Sequence, residues 1–142
     1  MLIGLDMVYI IYGAPCSGKT TYVKSRIKRG DIVCDLDSIY FAITEDDPHN
    51  QLLEISFIAK ELNNKLLDII SERKGNWKDA YIICADNSSK EINALKERVK
   101  ADECIFINTP YEVCIERAKE RPFYFSWIIE KWFGTTDLYE KI

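Results

Sequence analysis

A chain of 142 residues that is 47% hydrophobic has apolar mass for one core and little for a second, so residues 1–142 are expected to form a single domain. Its 19 basic and 23 acidic residues give a net charge of −4, which argues against a protein that coats nucleic acid, although Lys24, Arg26, Lys28 and Arg29 make a local basic cluster. No apolar run approaches a membrane span, and Met1–Asp6 lacks the basic region and cleavage site of a signal peptide, so a cytoplasmic protein without membrane contact is expected.

Val8–Tyr12 reads as a buried strand, and Thr20 to Lys28 as a helix that turns Tyr22, Val23 and Ile27 inward. Between them Gly13-Ala14-Pro15-Cys16-Ser17-Gly18-Lys19-Thr20 follows the pattern G-x-x-x-x-G-K-[ST]. The spacing has a mechanical reason. Two glycines let the backbone wrap an anion, so that N–H groups and the positive end of the following helix point at a β-phosphate. Lys19 adds a point charge for the β- and γ-oxygens, and the Thr20 hydroxyl is placed to hold Mg²⁺. A nucleoside triphosphate, ATP with Mg²⁺, is the expected ligand. Cys16 reads as a small filler of the loop.

Gly30 breaks the pattern, and Asp31–Asp37 reads as a second strand ending in two carboxylates, followed by a short helix over residues 38–44. Asp47-Pro48 has the form of an N-cap and first-turn proline for a long helix to about residue 74, with Leu52, Ile55, Ala59, Leu62, Leu66 and Ile69 on one stripe. Gly75 stops it. A third strand, Ala80–Ala85, ends at Asp86, and Ser88 with Glu91 makes a capping box for a helix to about residue 100. A fourth strand covers Glu103–Ile107. Thr109-Pro110-Tyr111-Glu112 repeats the capping box for a helix that must stop near Pro122.

This alternation predicts an α/β fold: a mostly parallel four-stranded sheet covered on both faces, with ligands at the carboxyl ends of the strands. Asp35 and Asp37 are two apart and so share a face, and Asp86 ends the neighbouring strand, which gathers three acids at that edge. Asp35 or Asp37 can serve as a base for an attacking hydroxyl, and Asp86 can order Mg²⁺. Asp37 equally suits an N-cap of the short helix. Arg117 and Arg121, one helical turn apart, fit a helical lid that neutralises a transferring phosphoryl group, or a solvated face shared with Glu116 and Glu120. Residues 123–133, rich in aromatic rings, read as a core or subunit-contact helix, the latter giving a homo-oligomer.

The five cysteines, Cys16, Cys34, Cys84, Cys104 and Cys114, include no C-x-x-C pair and read as reduced thiols. His49, the one histidine, follows Asp47-Pro48 where a turn is expected, which argues strongly against a His/Cys metal site or a histidine triad.

With Gly13 through Thr21 and Ile32 through Tyr40 in this order, the chain resembles the small P-loop kinases that include the 5′-polynucleotide kinase domain of bacteriophage and the zeta-type toxins. The resemblance implies a P-loop NTPase fold of three α/β/α layers, Gly13–Thr21 as the nucleotide loop, Asp37 as the general base and Arg117 or Arg121 as a lid arginine. It also implies a hydroxyl acceptor, a nucleic-acid 5′-end or a small molecule such as a nucleotide or sugar nucleotide. Tyr40 stands where polynucleotide kinases carry an arginine that helps hold the acceptor. The alternative to a kinase is a nucleotide-binding module or slow NTPase that acts as a switch or partner protein.

Overall fold

The computed structural model describes residues 6–139. Four strands, β1 (Val8–Tyr12), β2 (Ile32–Cys34), β3 (Ala80–Cys84) and β4 (Glu103–Phe106), pair in parallel in the order β2-β3-β1-β4. The two central strands, β1 and β3, run in register from Val8 opposite Ala80 to Tyr12 opposite Cys84. Their residues are apolar on both sides because both faces are covered.

Period-two alternation then sorts the side chains. Val8, Ile10, Cys34, Ala80 and Ile82 face one way, where they meet Leu67 and Ile70 of α3 (Leu53–Ser71) and Val99 of α4 (Ser89–Val99). Ile11 and Tyr81 face the other way and meet Val23 of α1 (Lys19–Arg26), with the Tyr9 and Tyr81 rings stacked at 5.1 Å. Each fully buried Ile or Val in these layers is worth about 1.5–3 kcal/mol. The result is a three-layer α/β/α fold. A third cluster, Ala14, Cys114, Ala118, Ile129 and Trp132, joins α5 (Tyr111–Arg117), a 3₁₀ turn (Ala118–Glu120) and α6 (Phe125–Thr135) to the carboxyl end of the sheet.

Several elements differ from their sequence reading for local reasons. The second strand stops at Cys34, three residues early, because Asp35 caps α2 (Leu36–Thr44), where it accepts the Ser38 hydroxyl at 2.7 Å. Helix α3 opens at Leu53 rather than at Pro48. Asp47 turns its carboxylate to the His49 N–H at 2.9 Å, which closes a tight turn, and residues 45–52 cross as a strap between α2 and α3. The line that α3 buries runs through Ser56, Ala59, Leu67 and Ile70. Leu52 and Leu62 of the expected stripe lie outside it and are exposed. In α1, Ile27 also stays exposed while Val23 is buried.

The first capping box forms in half: Ser88 accepts the Glu91 N–H at 3.1 Å. The second does not form, since no side chain caps α5 and the Thr109 hydroxyl donates elsewhere, to the carbonyl of Ser17 at 2.6 Å. In the aromatic tail, Ile129 and Trp132 pack into the core, whereas Phe123 and Trp127 are exposed. The cysteines among the described residues are all free thiols, and no described helix is long and apolar enough to cross a membrane.

Candidate functional site

The turn from β1 into α1 is shaped by what surrounds it. Gly13 has φ +154°, and a Cβ there would stand 2.7 Å from the Ile107 carbonyl oxygen and 3.0 Å from Ser17 Oγ, so only glycine fits. Gly18 caps α1 with φ +103°, and Cys16 holds φ +64°, a left-handed conformation that non-glycine residues adopt at some strain. The loop carbonyls are engaged one after another. Lys19 Nζ donates to Gly13 O at 2.8 Å and Ala14 O at 2.7 Å, Arg117 to Cys16 O at 3.0 Å, and Thr109 to Ser17 O.

The first N–H groups of α1 have no intrahelical acceptor and carry the positive end of its dipole. Among the described residues, Ser17 Oγ is the buried side-chain polar atom that lacks a hydrogen-bond partner. A glycine cradle, free helix-terminal amides, an unpaired hydroxyl and a lysine make a donor set that fits a phosphate chain. Burial pulls the Lys19 ammonium down from 10.5 to about 8, against the opposing pull of Cys84, Cys114 and Asp35. A desolvated ammonium gains most from an anion brought beside it.

The loop forms one end of a cavity of about 770 Å³, within the range of small-ligand sites. Pro15 through Thr21 line it, and so do Asp35, Asp37, Asp86, Arg117 and Arg121. Gly13 and Ala14 sit just behind that lining, where their carbonyls hold Lys19. The sequence-derived site residues therefore come together at the carboxyl edge of the sheet, though not always by the expected route. Asp35 and Asp37 belong to a helix cap and a first helical turn rather than to a strand face. Arg117 ends α5, whereas Arg121 follows the 3₁₀ turn in extended backbone, its guanidinium 5.3 Å over the Phe125 ring.

Asp37 lies open to the cavity, and Gln51 Nε2 donates to its Oδ1 at 3.0 Å. Desolvation by the cavity walls, then the charge of Asp35, raises its carboxyl above 3.8, while His49, Arg121 and Lys19 work the other way. Asp86 is raised to about 6, first by burial and then by its hydrogen bond and charge interaction with Glu91. Glu91, read from the sequence as the returning half of a capping box, thus turns toward Asp86. Thr20 and Asp86 offer hard oxygen donors of the kind Mg²⁺ takes.

Among the lining residues that the sequence does not mark as part of a site are His49, Asn63 and Phe125. His49 lies in a turn, as its sequence context predicts, and it belongs to the cavity wall. Its Nδ1 lies 3.4 Å from Asp47 Oδ1, its ring meets Phe125 edge to face at 5.5 Å, and its carbonyl accepts the Tyr124 hydroxyl. Asn63 had a signal: it is a polar residue on the inward side of α3, where its Oδ1 accepts the Cys34 thiol at 3.1 Å.

No protein-family model matches the chain, and no curated protein matches it. Solved structures do. A sugar kinase from Janibacter sp. HTCC2649 shares 16% identity with a TM-score of 0.62, over 93% of this chain and 78% of that one. The protein APE1195 shares 18% with a TM-score of 0.55, over 98% of this chain and 82% of that one. The chain has a three-layer α/β/α fold. At these identities the likeness speaks for architecture, and the chemistry rests on the side chains just described.

Proposed function

We propose that the protein is an ATP- and Mg²⁺-dependent phosphotransferase that moves the γ-phosphoryl group to a hydroxyl acceptor. The observation that carries this reading is that one cavity is lined by the phosphate-type loop with Lys19 and by Asp37, Arg117 and Arg121. The sugar kinase among the structural neighbours agrees with it.

In this reading the α1 amides, Ser17 Oγ and Lys19 grip the phosphates, and Lys19 exchanges its contacts to Gly13 and Ala14 for phosphate oxygens. Thr20 and Asp86 would hold Mg²⁺, which when bound neutralises charge on the phosphate oxygens. Asp37, kept in position by Gln51, accepts the proton of the acceptor hydroxyl. Arg117 and Arg121 close over the donor as a lid and stabilise charge on the transferring group.

The test is ADP release with Mg-ATP across a panel of hydroxyl acceptors. Acceptor-stimulated turnover that disappears in Asp37→Asn supports the reading; turnover no faster than hydrolysis with every acceptor, unchanged in Asp37→Asn, overturns it. A second reading, a nucleotide-dependent switch or slow NTPase that holds a partner, draws on exposed Phe41, Leu53 and Phe57 on α2 and α3. Nucleotide binding without acceptor-dependent turnover would select it.

A further inference from the structure

We infer that the acceptor is a small polyhydroxyl compound, uncharged or amine-bearing, seated against His49 and Phe125, rather than a nucleic-acid end or a phosphorylated molecule. This rests on the phosphotransferase reading above and adds to it the chemistry of the second substrate.

The first argument is confinement. The strap of residues 45–52 is tied to α6 by the Tyr124 hydroxyl on the His49 carbonyl, and to α2 by Gln51 on Asp37 and by the Leu52 N–H on the Tyr40 hydroxyl at 3.0 Å. The strap residue His49 lines the cavity, so these ties hold that part of its wall in place against a bulky polymer.

The second argument is charge. Asp35 and Asp37 line the cavity, and the strap carries three consecutive exposed acids, Glu45, Asp46 and Asp47, outside that lining and separated from His49 by Pro48. The nearby cations are committed. Lys19 and Arg117 sit on the loop carbonyls around the donor phosphates, and Arg121, which rests over the Phe125 ring, leaves it in the reading above to close on the transferring group. An anionic acceptor would meet more carboxylates than free cations, which acts as a repulsive filter against nucleic-acid ends and sugar phosphates. A neutral polyol escapes that penalty, and an amine gains from it.

The third argument is the kind of group on offer. Asp35 and Asp37 accept from hydroxyls, Asn63 and His49 pair with them in either direction, and Phe125 gives an apolar ring for a C–H face. Specific sites combine such apolar walls with a few placed polar groups. In the transfer, the acceptor oxygen forms a bond to the γ-phosphorus as the bond from that phosphorus to the β–γ bridging oxygen breaks. ADP leaves with the electron pair, and the hydroxyl proton passes to the Asp37 carboxylate.

The experiment measures ADP release by the full chain with Mg-ATP and four probes: neutral hexoses and pentitols, amino sugars, sugar phosphates, and 5′-hydroxyl oligonucleotides. Neutral or amine-bearing polyols are expected to stimulate turnover, and the two anionic classes are not. His49→Ala and Phe125→Leu are expected to raise the acceptor KM roughly ten-fold while leaving the KM for ATP in place. Circular dichroism melts show that each variant is folded, and His49→Ala serves alone if Phe125→Leu is not. Stimulation by oligonucleotides or sugar phosphates but not by neutral polyols overturns the inference and leaves the phosphotransferase standing. An unchanged acceptor KM in a folded His49→Ala protein overturns the seating. No stimulation by any probe, with calorimetry still recording ATP binding, overturns the phosphotransferase reading and the inference with it.

Discussion

The loop between β1 and α1 and the strap between α2 and α3 both line one cavity, the strap through His49, yet they are held by different means. The loop is fixed by backbone: a glycine pressed against the Ile107 carbonyl, and carbonyls at four positions tied to Lys19, Arg117 and Thr109. The strap is fixed by side chains reaching in from distant segments, with Tyr40, Gln51 and Tyr124 as the fastenings. Backbone shape suits a ligand part that never varies, the phosphate chain. Side-chain fastenings can be changed one at a time, which suits the end that chooses an acceptor.

The largest effect should come from breaking the fixed end. On the proposed reading, Lys19→Ala removes an ammonium that would grip the phosphates and that is largely withdrawn from water. Loss of roughly 10³-fold in kcat/KM, about 4 kcal/mol of transition-state stabilisation, is expected in an ADP-release assay. Activity within a few-fold of the parent would remove the loop from the chemistry altogether.

Breaking the other end at its reactive group should cost less and cost differently. Asp37→Asn keeps the acceptor for the Gln51 amide but cannot take a proton, so acceptor-dependent turnover should drop roughly 10²-fold while ATP affinity is kept. The pH profile sharpens this. Burial raises the Asp37 carboxyl, so the base is lost on acidification through a point above its ordinary 3.8. The part of the acidic limb of kcat/KM that Asp37 sets should fall there in the parent and vanish in the variant, which keeps any limb set by Asp86. A raised folded-state value also means that ionising Asp37 opposes folding. That stabilising share is present at low pH and lost as pH rises, so Asp37→Asn should be no less stable than the parent at neutral pH. Denaturant midpoints at acidic and neutral pH check the sign.

The same contrast explains what the sequence reveals. The loop is legible because its chemistry lies in eight consecutive residues bracketed by a strand and a helix, and parallel strands buried on both faces announce themselves as unbroken apolar runs. The acceptor end is not legible in this way. Tyr124 and His49 lie 75 positions apart, and nothing local to either marks the other as its partner. Thr109 misleads for a related reason: it satisfies the capping-box spacing, but a carbonyl from the loop competes for its hydroxyl and wins. Helix α3 carries apolar residues on more than one side, so periodicity alone cannot say that Ser56 faces inward and Leu62 outward.

Tyr40→Phe tests a single fastening of the strap. Tyr40 is fully buried, and its hydroxyl accepts the Leu52 N–H at 3.0 Å. Removing the oxygen leaves that half-buried donor unpaired, at about 1–2 kcal/mol. A lowered denaturant midpoint should come with a raised acceptor KM and an unchanged KM for ATP. If both KM values move together, the two ends are not separable and the comparison fails.

The smallest expected effect, from Thr109→Val, separates two roles for one hydroxyl. Were Thr109 a helix cap, its loss would loosen α5 and lower stability without reference to any ligand. As the tether of the Ser17 carbonyl it acts on the loop, holding Ser17 so that the unpaired Oγ stays beside the phosphate position. Valine keeps the branched shape and deletes the bond, worth about 1 kcal/mol. A tether shared between fold and ligand should lower the melting temperature slightly and weaken ATP binding in calorimetry by a few-fold, because the loop must then be ordered by the nucleotide itself. A stability loss of the same size with ATP affinity intact would return Thr109 to the helix and leave the loop to its glycines and Lys19 alone.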